Sequence, residues 1–338
     1  MRGVEDYIPR RRMSKRRNVE EYISCWTESE VLDGEIVDAL TVILRTSGCS
    51  WARKGGCTMC GYYDDCNPEV EGKDLITQMK RAFKRFSGQK ILKIFTSGSF
   101  LDESEVPPDV RREILSMASE RFEQVVIETR PEFLREESLE ECLSLFGNIQ
   151  VALGLESANN LVLEHSINKG FLFEDYLEAA RKVKESGASL KTYLLIGPPF
   201  LTEFEAVRDS VESAKKIQSI TDIISFNPVN VQNGTLVERL WRRNEYRPPW
   251  LWSVVEVLEE CRKLTPRVVS FPTGGGRNRG AHNCFECDRE VLSAIEEFSL
   301  GLREDFKDIY CECKERWLDL LDLQGFTQSS IDLERFYK

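Results

Sequence analysis

The chain has 338 residues, with 46 Lys and Arg against 57 Asp and Glu for a formal net charge of -11, and 11 cysteines. That length buries a full core, in one large α/β domain with additions or in two domains, without disulfide staples. The first 17 residues lack the apolar stretch and small-residue cleavage site of a secretory signal, and no later run is long and apolar enough to span a bilayer, so a cytoplasmic protein with no membrane contact is expected.

In chain order, "PRRRMSKRR" at 9–17 comes first, a basic block in an acidic chain. It reads either as a solvated arm or as one that orders on RNA phosphates. With its lead-in it makes up residues 1–36. Six apolar, β-branched runs then follow, at 40–46, 91–97, 124–129, 149–155, 190–197 and 222–228. Amphipathic stretches such as 74–87 and 175–187 separate them, the second closed by Gly187. Continuous apolar strands with helical crossovers predict an α/β fold with a parallel sheet. Six units fall short of a full barrel, which leaves a partial (β/α)6 barrel over residues 37–235, or a doubly wound sheet. Either way the chemistry belongs at the C-terminal strand ends, where the loops are polar or rich in Gly and Pro.

The first such loop, "RTSGCSWARKGGCTMCGYY", carries Cys49, Cys57 and Cys60 as C-x7-C-x2-C. Three thiolates from one loop can hold three irons of a 4Fe–4S cubane and leave the fourth open. A zinc site with a borrowed fourth ligand and unligated core thiols are the alternatives. Gly55 and Gly56 permit the sharp path, and Arg45, Arg53 and Lys54 bring positive charge. Cys66 reads as a bystander, and Cys25, Cys142 and Cys261 as ordinary buried thiols.

Past residue 235 the pattern turns helical, predicting a C-terminal extension over 236–338. It holds Cys284 and Cys287 as C-x2-C and Cys311 and Cys313 as C-x-C, with His282 just ahead as a loop residue. Four thiols fit structural zinc, with reduced thiols or a second iron–sulfur cluster as alternatives. "PTGGGRNRG" at 272–280 reads as a phosphate cradle of backbone amides or as a mobile loop.

A three-cysteine loop after the first strand of a β/α chain resembles the radical S-adenosylmethionine (SAM) superfamily, in which SAM occupies the open iron. The usual gap between its first two cysteines is shorter than the seven residues here, and Met59 stands where an aromatic is usual. The later loops resemble its Elongator-type branch. "TSGSFLD", with Ser97, Gly98 and Ser99, looks like the loop that receives the SAM amino group. In "ETRPE" the resemblance puts Glu128 and Arg130 against ribose and the methionine carboxylate. "GLES", with Glu156 and Ser157, "LIGPPFLTEFEA", and "FNPVNVQNGT", with Asn227 and Val229, match the next three strand ends. Taken singly, Gly98 reads as a turn and Glu128 with Arg130 as an ion pair.

"GCTMCGYY" and the tail "GGGRNRGAHNCFEC" with "CEC" resemble, over nearly the whole chain, the archaeal radical SAM subunits of archaeosine synthase. That resemblance implies a tRNA substrate bearing lysine on a cyano-deazaguanine base of the D-loop. It also implies a transglycosylase-like partner subunit that attaches the lysine, and an electron donor such as a ferredoxin or flavodoxin. The implied lyase reaction removes hydrogen from the lysine carbon bonded to nitrogen; a second oxidation and hydrolysis then leave archaeosine and a lysine-derived aldehyde. Glu156, Lys169, Lys191 and Arg277 are candidates for the lysine's charged end, against a reading as ion pairs. Because the chain is acidic, the partner is expected to supply much of the tRNA affinity. The alternatives are an Elongator-type radical SAM enzyme for another base or a small molecule, and a zinc-stabilised RNA-binding adaptor without catalysis.

Overall fold

Among the described residues eight strands build one sheet in the order β1-β2-β3-β4-β5-β6-β7-β8. They are β1 Ser24–Leu32, β2 Glu35–Ile43, β3 Ile91–Phe95, β4 Gln124–Thr129, β5 Ile149–Glu156, β6 Ser189–Ile196, β7 Ile223–Pro228 and β8 Arg267–Val269. The computed structural model describes residues 4–9 and 17–326. Most of the basic block, residues 10–16, lies outside the described residues.

β1 and β2 form an antiparallel hairpin, and every later neighbour is parallel. The hairpin turns on Asp33 and Gly34, whose φ of 51° and 84° suits the twist of the flanking strands. β2 to β7 cover the six apolar runs. The two edge strands are additions to that pattern: β1 carries Glu28 and Glu30 in alternation, and β8 has only three residues.

Among the described residues ten α-helices accompany the sheet and the tail: α1 Ser50–Lys54, α2 Gly72–Phe83, α3 Pro108–Ser119, α4 Glu136–Leu145, α5 Phe173–Glu185, α6 Glu203–Ile217, α7 Leu236–Arg242, α8 Leu251–Cys261, α9 Asp288–Ser299 and α10 Cys313–Gln324. Local chemistry starts them. At α6 the Thr202 hydroxyl accepts from Glu205 N at 3.3 Å while Glu205 Oε2 accepts from Thr202 N at 2.8 Å, a reciprocal cap. Outward residues such as Leu40, Ile94, Ile127, Val151, Leu190 and Phe226 are buried with the apolar helix faces in one core. This burial is the main favourable term of the fold.

The inner face is different. Ala39, Ile91, Val126 and Ala152 form a small apolar patch, and beside it lies a buried ionic floor. Lys93 Nζ sits 2.6 Å from Glu30 and 2.9 Å from Glu28, while Lys191 and Arg267 approach Glu30 at 3.5 and 3.7 Å. The sheet curls around this floor as a half-barrel, leaving the C-terminal strand ends as its mouth. The tail packs on α6 through α8 and α10: Trp252 and Trp317 are fully buried there, and the Trp317 indole donates to Ser253 Oγ at 2.8 Å. Among the described residues no helix is long and apolar enough to cross a membrane.

Candidate active site at the mouth of the half-barrel

The chain leaves β2 and places Cys49 as the residue capping the short α1, then turns through Gly55 and Gly56 at φ of 152° and 81° to bring Cys57 back. A Cβ at Gly56 would stand 3.1 Å from the Ala52 backbone, so the turn is tight as well as left-handed. Cys49 and Cys57 are buried, Cys60 half-buried. Long-range bonds hold the loop. Thr58 donates from N to Ile167 O at 2.9 Å and from Oγ1 to Ser166 O at 2.8 Å; Asn168 Nδ2 donates to Gly56 O at 2.8 Å, and the Trp51 indole to Asn168 O at 2.9 Å. These partners belong to a π-helical turn, Val162–Ile167, and to the left-handed Asn168 that ends it. Gly170 is needed beside it, because a Cβ there would lie 2.5 Å from the Trp51 ring.

Three thiols on one loop suit a cubane, which takes one iron per thiolate; a lone zinc would need a fourth ligand. Around them the site is prepared for anions. Arg130 is buried and donates to Glu132 Oε1 at 2.6 Å and to Lys169 O at 3.0 Å, so it pairs with Glu132 rather than Glu128. Its guanidinium rests 5.2 Å from the Phe171 ring and 5.9 Å from the Trp51 ring. Burial pushes the Cys49 thiol up and the Arg130 charge pulls it down.

Ser97, Gly98 and Ser99 lie directly on the first cysteine. A Cβ at Gly98 would meet Cys49 Cβ at 2.8 Å and Sγ at 3.0 Å, so only glycine allows this approach. Ser97 Oγ is buried against the Cys66 thiol. Ser99 is committed internally: its N donates to Glu105 Oε2 at 3.0 Å and its hydroxyl bonds Thr129. Glu128 faces the half-barrel interior, its carboxyl pushed up to about 7 by burial against a Tyr193 hydrogen bond.

Glu156 sits on a bulge in β5 with φ of 74°, a backbone few residues other than glycine adopt. The bulge aims it at Lys169, 2.9 Å away. Ser157 turns outward, donating to Asp209 Oδ1 at 2.9 Å, so its side chain is not with the cysteines. Asn227 is half-buried and accepts from Ser225 Oγ at 3.2 Å, while Val229 is buried and donates from N to Ile196 O at 2.9 Å. Lys191 belongs to the ionic floor, and Arg277 is exposed in the tail. Residues the motifs did not mark also build the mouth. Glu105, Trp51 and Asn168 are among them, and Gln232 Oε1 accepts from Gly61 N, the residue after Cys60.

Away from the mouth, the sulfurs of Cys284, Cys287, Cys311 and Cys313 all lie within 4.8 Å of one another. Cys284 is 3.8 Å from Cys287 and 3.7 Å from Cys311, and Cys287 is 3.7 Å from Cys313. His282 is no part of this group; its Nδ1 bonds Gly280 O at 2.8 Å. Three of the "PTGGGRNRG" amides are occupied: Gly275, Gly276 and Gly280 donate to Pro272, Ala281 and Arg277 carbonyls at 3.0, 2.8 and 2.9 Å.

Residues 43–214 match the family model of the radical SAM superfamily. Archaeosine synthase subunit beta of Methanosarcina acetivorans is 41% identical over 324 residues, which cover 93% of this chain and 94% of that protein. The protein of that name from Thermococcus kodakarensis is 41% identical over 309 residues, 86% of this chain and 94% of its own length. Among solved structures, Methanocaldococcus infernus Elp3 with an N-terminal deletion is 20% identical, covers 67% of this chain and 59% of that chain, and has a TM-score of 0.49. Membership of the superfamily implies a 4Fe–4S cluster and SAM, and three thiols on one glycine-turned loop with Gly98 pressed against Cys49 suit both. With relatives this similar along almost their full length, the chain belongs to the radical SAM superfamily and, within it, to the family of archaeosine synthase beta subunits.

Proposed function

We propose that this chain is the radical lyase subunit that forms archaeosine, cleaving the carbon–nitrogen bond of a lysine-modified deazaguanine in the tRNA D-loop. The observation that carries this reading is the 41% identity to archaeosine synthase beta subunits across nearly their whole length. In it, Cys49, Cys57 and Cys60 hold the cluster, and Ser97, Gly98, Ser99, Glu128, Arg130, Glu156, Ser157, Asn227 and Val229 form the SAM cradle, Ser157 and Val229 through their backbones. When bound, the cluster and SAM supply a 5'-deoxyadenosyl radical able to take hydrogen from the lysine carbon next to nitrogen.

The chain's own residues do the placing. Buried Arg130 offsets negative charge beside the thiolates. The Glu156–Lys169 pair, 2.9 Å apart at the mouth, can exchange its mutual bond for bonds to the amino and carboxylate ends of the substrate lysine. Glu128, with its carboxyl up at about 7, accepts from a sugar hydroxyl in either protonation state. The partners in this reading are tRNA, the lysine-transferring subunit, and a ferredoxin or flavodoxin as electron donor.

The Cys284, Cys287, Cys311 and Cys313 group is assigned to structural zinc. Sulfur separations of 3.7 to 3.8 Å are the edge of a tetrahedron with metal–sulfur bonds of about 2.3 Å.

The test is anaerobic incubation of the reconstituted protein with lysine-modified tRNA, SAM and dithionite, followed by mass spectrometry of the nucleosides. Archaeosine and 5'-deoxyadenosine are both expected from wild type, and neither from Cys57→Ala, which also loses cluster iron. Deoxyadenosine without archaeosine would assign the chain another substrate; iron retained in Cys57→Ala would remove the cluster from this loop.

A further inference from the structure

Between α7 and α8 the chain faces the loop leading into the cysteine quartet, and the two leave an open cleft of about 780 Å³. Trp241, Arg242, Tyr246 and Arg247 form one wall, Asn278 and His282 the other. We propose that this cleft is the site where the chain grips a single-stranded stretch of tRNA, with phosphates on its arginines and a base on the adjoining aromatic shelf. The proposal rests on the tRNA reading above and adds where the contact is made.

Charge is the first argument. In a chain of net charge -11, residues 236–250 and 271–283 hold six arginines and two glutamates, with no lysine or aspartate. One of those glutamates, Glu238, is shared: Arg242 and Arg279 each approach its Oε1 at 2.9 Å, so two guanidiniums face one carboxylate. The Arg242 side chain is 67% exposed, and Arg243 and Arg277 are exposed as well. Backbone phosphates attract such a patch whatever the sequence of the nucleic acid.

Stacking surfaces are the second. His282 and Phe285 lie stacked, centroids 4.8 Å apart and planes 9° from parallel, and Phe285 is 53% exposed. An exposed ring already held in a stack is what an unpaired base uses as a platform. Arg279 lies 4.9 Å from the Trp241 ring and keeps that side chain in place. The amides of Gly275, Gly276 and Gly280 are bonded internally, so the phosphate contacts are placed on side chains.

Position is the third. Val231 N donates to Arg279 O at 2.7 Å, the next residue, Gln232, holds Gly61 beside Cys60, and Tyr246 donates to Gly197 O at the end of β6 at 2.7 Å. The cleft therefore adjoins the mouth, and a nucleotide unstacked from the gripped strand has a short way to the cysteines. Its far wall is rigid. Arg247 donates to His282 O at 2.7 Å and rests 4.3 Å from the Trp250 ring, which ties the cleft to the quartet two residues on.

The experiment measures binding of an unmodified tRNA transcript to the cluster-loaded full chain, anaerobically and at low salt, by fluorescence anisotropy. Arg242→Glu and Phe285→Ala are compared with Arg112→Glu, a charge reversal on α3; melting temperature and zinc content check folding. The expected result is a Kd raised at least tenfold by Arg242→Glu and about fivefold by Phe285→Ala, with Arg112→Glu within twofold. Arg242→Glu also flattens the plot of log Kd against log salt by about 0.7 or more. Equal weakening by Arg112→Glu would mean diffuse attraction and overturn the cleft. Unchanged affinity in Arg242→Glu and Phe285→Ala would overturn it too and leave the tRNA reading standing, as would variants that keep tRNA but lose the partner subunit. Wild type that releases 5'-deoxyadenosine from SAM yet binds no tRNA would sink the tRNA reading and the cleft together.

Discussion

At the scale of single residues, Glu105 decides how the Ser97–Gly98–Ser99 loop is held. It is 2% exposed, accepts from Ser99 N at 3.0 Å through Oε2, and has the Thr96 and Thr46 hydroxyls as further neighbours. Burial pushes its carboxyl from 4.5 up to about 7, and the neighbouring Asp102 adds to that rise. The folded state therefore holds the proton more tightly than the unfolded chain. Stability from this group is full below about 4.5 and is lost as pH rises through about 7. At about 1.4 kcal/mol per unit, the ionised carboxylate costs on the order of 3 kcal/mol above neutrality. Glu105→Gln keeps the acceptor for Ser99 and removes the ionisation. Melting curves are expected to show the variant several degrees more stable than wild type near pH 8 and equal to it near pH 5. A variant less stable at pH 8 would mean that the loop needs the anion.

Among the elements, the tail depends on its four sulfurs. Cys287 caps α9 and Cys313 opens α10, and the Trp252 indole of α8 donates to Cys313 Sγ at 3.2 Å. One ion at that point would join three helices, and structural zinc typically contributes about 10–16 kcal/mol of binding free energy, so its removal reaches all three. Chelation, or Cys311→Ser, is expected to release about one zinc per chain, lower Tm by several degrees and shift tryptophan fluorescence, while iron at the Cys49 loop stays. No change in Tm on zinc loss would reduce the quartet to an ornament of the loop. The cysteine spacings were readable because ligation makes close pairs in sequence. What was not readable joins distant segments: Trp51 meets Asn168 across 117 residues, and Gly61 meets Gln232 across 171. A π-helical turn has no composition of its own, so the support for the cysteine loop stayed hidden until the chain was folded.

For the molecule as a whole, the six central strands were legible because burial on both faces makes continuous apolar runs. β1, inside the lead-in of residues 1–36, was not, since its inward side chains are Glu28 and Glu30, whose burial makes sense only once the cations opposite them are placed. Those carboxylates close the half-barrel's floor from one edge, reaching Lys93, Lys191 and, on the opposite edge strand, Arg267. Glu30 is 6% exposed; burial raises its carboxyl, but Lys191 and Lys93 outweigh that and hold it down to about 2. Here the sign is the reverse of Glu105: the contribution is full above about 4.5 and fades as pH falls through about 2. Glu30→Gln leaves two buried lysines and the half-buried Arg267 with Glu28 alone and should cost about 3–5 kcal/mol at neutral pH, read as a Tm drop on the order of 10 °C. Adding Lys93→Met removes one of the stranded charges, so the double variant should recover part of the loss. If Glu30→Gln melts with wild type at pH 7, the floor is not what holds β1 and β8 across the half-barrel, and apolar packing alone closes the sheet.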